Sequence, residues 1–207
     1  MPFGQDIYKN DGTKYRAGTP AAFGCVEVKL MLERRAAGTI PIPEGFDAHT
    51  LTFGKQAEQL CASVQAALGL KADGQCGPST MREGFKPDLQ FAAQRVGMKL
   101  ETICKLISLE SNFNPSAFNP APWPSSYPNG SRDRGIAQIN TQTGVADPIA
   151  FNVRAAFEYA AGRLSDAIES QDGDLDVAIA SYNVGTLGAS YYERGRDYVK
   201  LYHQQKC

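Results

Sequence analysis

The sequence predicts a mostly α-helical fold, and three observations carry that reading. Apolar residues recur at helical spacing in separate stretches, most clearly Ala57, Leu60, Cys61, Val64 and Leu68, and again Val153, Phe157, Ala160, Leu164 and Ile168. Strand signals are few, with residues 135–140 alone plausible as a strand or β-like loop. At 207 residues and 43% hydrophobic composition, the chain can bury one large core or two small ones.

Taken in order, residues 1–22 are rich in Gly, Lys, Asp and Tyr without periodicity, and read as an extended arm. Such an arm stays ordered only if something docks it. Residues 26–37 suggest a short charged helix on Val28, Met31 and Leu32, and residues 38–49 a loop broken by two prolines and two glycines. Residues 55–68 form a clearer helix. Asp73-Gly74 is then a turn, and Pro78 or Ser79 opens the next helix. The Gly84-Phe-Lys-Pro87 stretch is the expected boundary between a small helical domain, 23–86, and a larger one, 87–207.

Beyond the boundary, residues 87–96 and 99–111 read as two helices. The loop 114–134 carries five prolines, the single tryptophan Trp123, and Tyr127. Asp147-Pro148 places a cap residue and a first-turn proline at the head of a long helix on Ile149, Val153, Phe157, Ala160, Leu164 and Ile168. Leu175, Ala178, Ile179 and Tyr182 make another stripe, so Tyr182 faces inward, and Gly185 suits a left-handed cap. A last helix spans about 197–204.

The chemistry concentrates at Glu110. It stands seven residues after Ile103, on the apolar face with Leu100, Cys104 and Ile107, and Asn112, Asn114 and Pro115 stop the helix just beyond it. Apolar burial and the negative end of the helix dipole both disfavour a carboxylate. A glutamate that keeps its proton near neutral pH is what a general acid requires. The bland alternative is a rim residue or a salt-bridge partner.

Charge and cysteine content narrow the rest. A net charge of −1 gives no steering toward nucleic acid, and no basic stripe is visible. No apolar run approaches a membrane span, and the N-terminus lacks the apolar core of a secretory signal. The five cysteines, with no C-x-x-C clip, read as reduced thiols of a protein made in a cytoplasm, Cys61 and Cys104 serving as small hydrophobes. With two distant histidines, His49 and His203, no metal site and no cofactor are expected.

Three short motifs carry a resemblance. Glu110-Ser111 with Phe113, Gly135-Ile-Ala-Gln138, and Ala180-Ser-Tyr182-Asn183-Val-Gly185 resemble, in order, the motifs of the soluble lytic transglycosylases, over about residues 91–203. The first two also resemble animal-type lysozymes, through Glu-Ser-Asn-Phe-Asn and Asp133-x-Gly-Ile-x-Gln-Ile-Asn. The resemblance implies a lysozyme-like catalytic domain that cuts the MurNAc–GlcNAc bond of bacterial peptidoglycan. It makes Glu110 the acid and then the base, with Ser111, Gln138, Tyr182 and Asn183 holding the substrate, and Tyr182 orienting the Glu110 carboxyl. Residues 64–80 are similar to the Asp-Gly-x-x-Gly-Pro-x-Thr turn of small peptidoglycan-binding domains, with Cys76 in place of the usual aromatic. An ordinary helix-turn-helix explains that stretch equally well.

Two reactions stay open at this point. A transglycosylase needs one glutamate and leaves a 1,6-anhydromuramyl end, whereas a muramidase would use Asp133 as a second carboxylate. For Asp133 the plain reading is a loop residue kept ionised by Arg132 and Arg134. The third motif favours the transglycosylase. A wall-cutting enzyme without a leader is expected in a bacteriophage, as an endolysin held in the host cytoplasm before release or as a virion component beside other virion proteins. A rival from another class is a non-enzymatic structural virion protein that keeps the fold, whose mark would be loss of Glu110 or Gln138.

Overall fold

The computed structural model describes residues 8–120, 124–184 and 189–207, with the side chains of 184 and 189–194 excepted. Trp123 and Gly185 lie outside the described residues. The helices are α1 (Pro20–Ala36), α2 (Lys55–Ala67), α3 (Pro78–Arg95), α4 (Leu100–Ser111), α5 (Asp147–Ala150), α6 (Val153–Ser170), α7 (Leu175–Val184) and α8 (Ala189–Gln204). Between α4 and α5 lies a small antiparallel sheet of two-residue strands, β1 (Phe118–Asn119), β2 (Asp133–Arg134) and β3 (Ile139–Asn140), in the order β1-β2-β3. The fold is mostly α and lysozyme-like. Among the described residues no helix is long and apolar enough to cross a membrane.

The hub is α6, whose Val153, Ala156, Phe157, Ala160, Ala161 and Leu164 are fully buried. Burying a phenyl ring of this kind stabilises by about 1.5–3 kcal/mol. Phe157 meets Phe85 of α3 edge-on at 6.5 Å and Phe113, just past α4, at 6.4 Å. The same ring therefore packs the front half of the chain against the tail of the helix that bears Glu110.

The expected long helix from Asp147 is in fact two. Phe151 and Asn152 separate α5 from α6, and the Asn152 side chain caps α6 by accepting from Ala155 N at 2.9 Å. Ile149 is consequently half exposed rather than part of the buried stripe. The front end also differs from expectation. Thr19 caps a helix that starts at Pro20, and its extra turn is buried through Ala22 and Cys25.

The boundary expected at residues 84–87 falls inside α3, which runs unbroken past Pro87. Gly84 sits where an added Cβ would collide with Met31, so it marks close packing of α1 on α3 rather than a hinge. One hydrophobic cluster runs from Tyr8 to Tyr202. Polar struts cross the same seam. The buried Glu27 of α1 accepts from Asn152 Nδ2 at 3.0 Å and Val153 N at 3.2 Å, at the head of α6. Asp88 of α3 pairs with Arg34 of α1 and Arg154 of α6, at 3.0 and 2.7 Å.

The arm is docked along residues 8–19. Tyr8 is buried, bridges Cys76 through its backbone, and donates its hydroxyl to Ser116 Oγ at 2.7 Å, while Tyr15 N bonds Leu51 O at 2.8 Å. The reading of all five cysteines as reduced thiols is corrected at two of them. Cys104 of α4 and Cys207 form a disulfide with Cα atoms 5.7 Å apart. Their separation of 103 positions left no local signal of the pairing.

Candidate active site

Helix α4 buries Ile103, Cys104 and Ile107, and this stripe turns Glu110 toward an open cleft. The helix stops because Asn112 adopts the left-handed conformation at φ 52°, with Phe113 following at φ 62°. Asn112 N returns to Ser108 O at 2.9 Å, and the buried Phe113 ring locks the tail against Phe157. Glu110 thereby projects from a fixed helix end.

The cleft has a volume of about 560 Å³ and is lined by Glu110, Asp133, Gln138, Tyr182, Asn183 and Tyr198, among others. Burial pushes the Glu110 carboxyl up to about 8. The hydroxyl of Tyr198, which donates to Glu110 Oε1, pulls it partly back. The Asp133 charge raises it again and Arg163 opposes that rise.

The far wall is built from the small sheet. Asp133 accepts from Tyr127 OH through one oxygen and from Asn140 Nδ2 through the other, both at 2.8 Å. Strand alternation sends Arg134 the opposite way, into the core, where it pairs with Asp147 and donates to Ile139 O at 3.2 Å and Val145 O at 2.8 Å. Arg134 is thus committed to Asp147, and is not the partner of Asp133 that sequence adjacency suggested. The turn between β2 and β3 needs Gly135, whose φ is +71° and where an added Cβ would strike the carbonyl oxygen of Ala150. Gln138 closes the turn at φ 49°, its amide donating to Gly135 O at 2.9 Å and accepting from Asn119 Nδ2 at 2.7 Å.

Five of the six residues singled out from sequence, Glu110, Asp133, Gln138, Tyr182 and Asn183, line this one cleft. Ser111 does not. It is buried at 1% exposure and donates to Ile136 O at 2.7 Å, tying the end of α4 to the β2–β3 turn, so its hydroxyl has no access to a sugar. Tyr182 faces inward, but its hydroxyl donates to Ala137 O at 3.2 Å. The phenol on the Glu110 carboxyl is that of Tyr198, which sequence reasoning missed along with Arg163. The guanidinium of Arg163 lies 5.2 Å from the Tyr182 ring centre, a cation over an aromatic face at the cleft edge. A faint signal for Tyr198 existed in its i, i+4 pairing with Tyr202, but its partner is 88 positions away.

Among the described residues no group of three or more His, Cys, Asp or Glu side chains could hold a metal ion. The arrangement offers one carboxyl that carries its proton at neutral pH, a phenol to orient it, and a second carboxylate held across the cleft. A family model described as Transglycosylase SLT domain matches residues 88–200, more than half of the chain, and spans all of these groups. No curated protein and no solved structure matches the chain.

Proposed function

Because the chain belongs to the transglycosylase SLT domain family and is a peptidoglycan lytic transglycosylase, we propose that Glu110 is its general acid and base. Protonated Glu110 donates to the oxygen of the MurNAc–GlcNAc β-1,4 bond as that bond breaks. The oxocarbenium-like centre at C1 is then attacked by the C6 hydroxyl of the same muramyl unit. The Glu110 carboxylate takes the hydroxyl proton, which leaves a 1,6-anhydro end and returns the enzyme to its starting state. The observation that carries the reading is the raised Glu110 carboxyl, pushed up to about 8 by burial within hydrogen-bond reach of Tyr198.

In this scheme Asp133 supplies negative charge facing the developing cation, and Tyr127 and Asn140 keep it in place. Gln138 and Asn183 contribute amides to the cleft floor, and Tyr182 forms part of its wall. Mass spectrometry of muropeptides released from purified walls tests the scheme. The expected products end in 1,6-anhydromuramyl groups. Reducing ends would instead make Asp133 the second carboxylate of a muramidase, a reading favoured only by its place in the same cleft.

Tyr198→Phe is expected to lower kcat about 10- to 100-fold, because an oriented acid loses its guide. Loss of the hydroxyl also removes an influence that lowers the Glu110 pKa. The alkaline limb of the pH–rate profile should then move upward from about 8, which a purely structural role for Tyr198 would not cause.

The bacteriophage setting, as virion component or endolysin, belongs to the same proposal. The Cys104–Cys207 disulfide supports a particle-borne or released protein, since such bonds persist on virion and cell surfaces. Presence of the chain in purified particles distinguishes the virion component from the endolysin. The hollow of about 320 Å³ at Gln65, Asp73 and Thr80 is the proposed wall-holding patch. Its occupancy would keep the enzyme on its polymer.

A further inference from the structure

We propose that Cys61 and Cys76 are joined in a second disulfide, one that staples the front of the molecule as Cys104–Cys207 staples the back. The two sulfur atoms lie 2.7 Å apart, and both residues are fully buried. Non-bonded heavy atoms rest at roughly 3.5–4 Å even when both are carbon, and sulfur is larger. Two intact thiols cannot rest comfortably at this separation, whereas a bonded pair closes to about 2.05 Å with a small side-chain rotation.

The surrounding backbone is already set for the bond. Cys61 lies mid-way along α2, and Cys76 is held from the other side by paired backbone bonds with Tyr8, N to O at 3.3 and 2.9 Å. Gln65, one turn beyond Cys61, fixes the intervening loop through Asp73 Oδ1, Gln75 O, Thr80 Oγ1 and Gly74 N, at 2.9–3.1 Å. The ends of the loop are thus brought together without the bond, and oxidation would lock a geometry that exists. Cys25 shares the same core, and with Cys61 and Cys76 paired to each other it stays a thiol.

The reaction is ordinary exchange. Each thiol gives up one proton, the pair gives up two electrons, and one S–S bond forms. The acceptor is a disulfide such as oxidised glutathione, which is cleaved to two thiols. Because both sulfurs are buried in the folded chain, the exchange belongs to folding in an oxidising medium rather than to the finished protein.

Trypsin separates all the participants, cutting after Arg16, Lys29, Lys55, Lys71 and Arg82. The full chain is refolded in a glutathione redox buffer, denatured, alkylated with N-ethylmaleimide without reduction, and digested. The Cys104–Cys207 link in the same digest identifies the molecules to be scored. The expected result is peptide 56–71 cross-linked to peptide 72–82, with one alkylated cysteine, Cys25, per chain. Alkylation of Cys61 and Cys76 beside an intact Cys104–Cys207 link overturns the proposal, as does any link that includes Cys25. A second measurement uses the Cys61→Ser and Cys76→Ser single variants. Each should expose the partner cysteine as one additional alkylated thiol, so that two are labelled instead of one. A fall from three labelled thiols in the wild type to two in either variant also overturns it.

Discussion

Glu110→Gln is expected to reduce release of anhydromuropeptides at least about a thousandfold while leaving the fold intact. The amide can accept and donate hydrogen bonds but cannot pass a proton to the leaving sugar oxygen, and the same group is needed in both halves of the reaction. For the wild type, activity should fall as pH rises through about 8, where the acid loses its proton.

The same carboxyl makes stability depend on pH with a definite sign. Its folded pKa of about 8 lies above the ordinary glutamate value of 4.5, so between those limits the folded state binds the proton more tightly than the unfolded chain. Its contribution is fully present below about pH 4.5 and is lost progressively toward pH 8. The upper bound on that loss is about 5 kcal/mol, and access of the cleft solvent brings it to a few. Glu110→Gln is free of this dependence. Thermal melts should therefore show the variant gaining on the wild type from pH 5 to pH 8, by several degrees. The same difference between variant and wild type at both pH values would place the carboxyl in bulk water and remove the basis for its role as an acid.

Arg134→Ala carries the largest expected effect on the fold, a loss of about 3–5 kcal/mol and a melting point lower by about 10 °C or more. The guanidinium is 2% exposed and holds Ile139, Val145 and Asp147 from three successive segments at once. Truncation removes the guanidinium donor from the carbonyl groups of Ile139, Asn140 and Val145 and the charge partner of Asp147. Because Arg134 shares β2 with Asp133 and precedes Gly135, the cleft wall should lose its shape and activity should fall with stability. Arg134→Lys should recover little, since a point charge cannot replace a planar fork with three bearings. Differential scanning calorimetry of the three proteins is the direct measurement.

Much of this molecule was legible in the sequence where the signal was local. The stripes of α2, α4 and α7, the stop at Asn112, and the Asp73-Gly74 turn follow from spacing and turn chemistry. Glu110 was legible for the same reason, since seven residues on a helix return a side chain to one face. What escaped was set by partners far along the chain. Tyr198 gains its meaning only beside Glu110, Cys207 only beside Cys104, and the burial of Ser111 only from the carbonyl of Ile136. The split between α5 and α6 was hidden for a different reason: Ile149 fits the apolar repeat by spacing but faces outward once Asn152 starts a new helix. Pro87 does not break α3, because a helix packed on both α1 and α6 tolerates a missing donor that an isolated one would not.

Order of synthesis brings out a property of the Glu27 strut. This carboxylate leaves the ribosome early, but the groups that satisfy it, Asn152 and Val153, are 125 and 126 positions later. Tyr8 likewise waits 108 positions for Ser116. A nascent chain stopped near residue 86 would therefore lack the groups that Glu27 and Tyr8 bond in the folded protein. Single substitutions in the intact enzyme keep these long-range bonds in place while any affinity of the front half for the wall is probed.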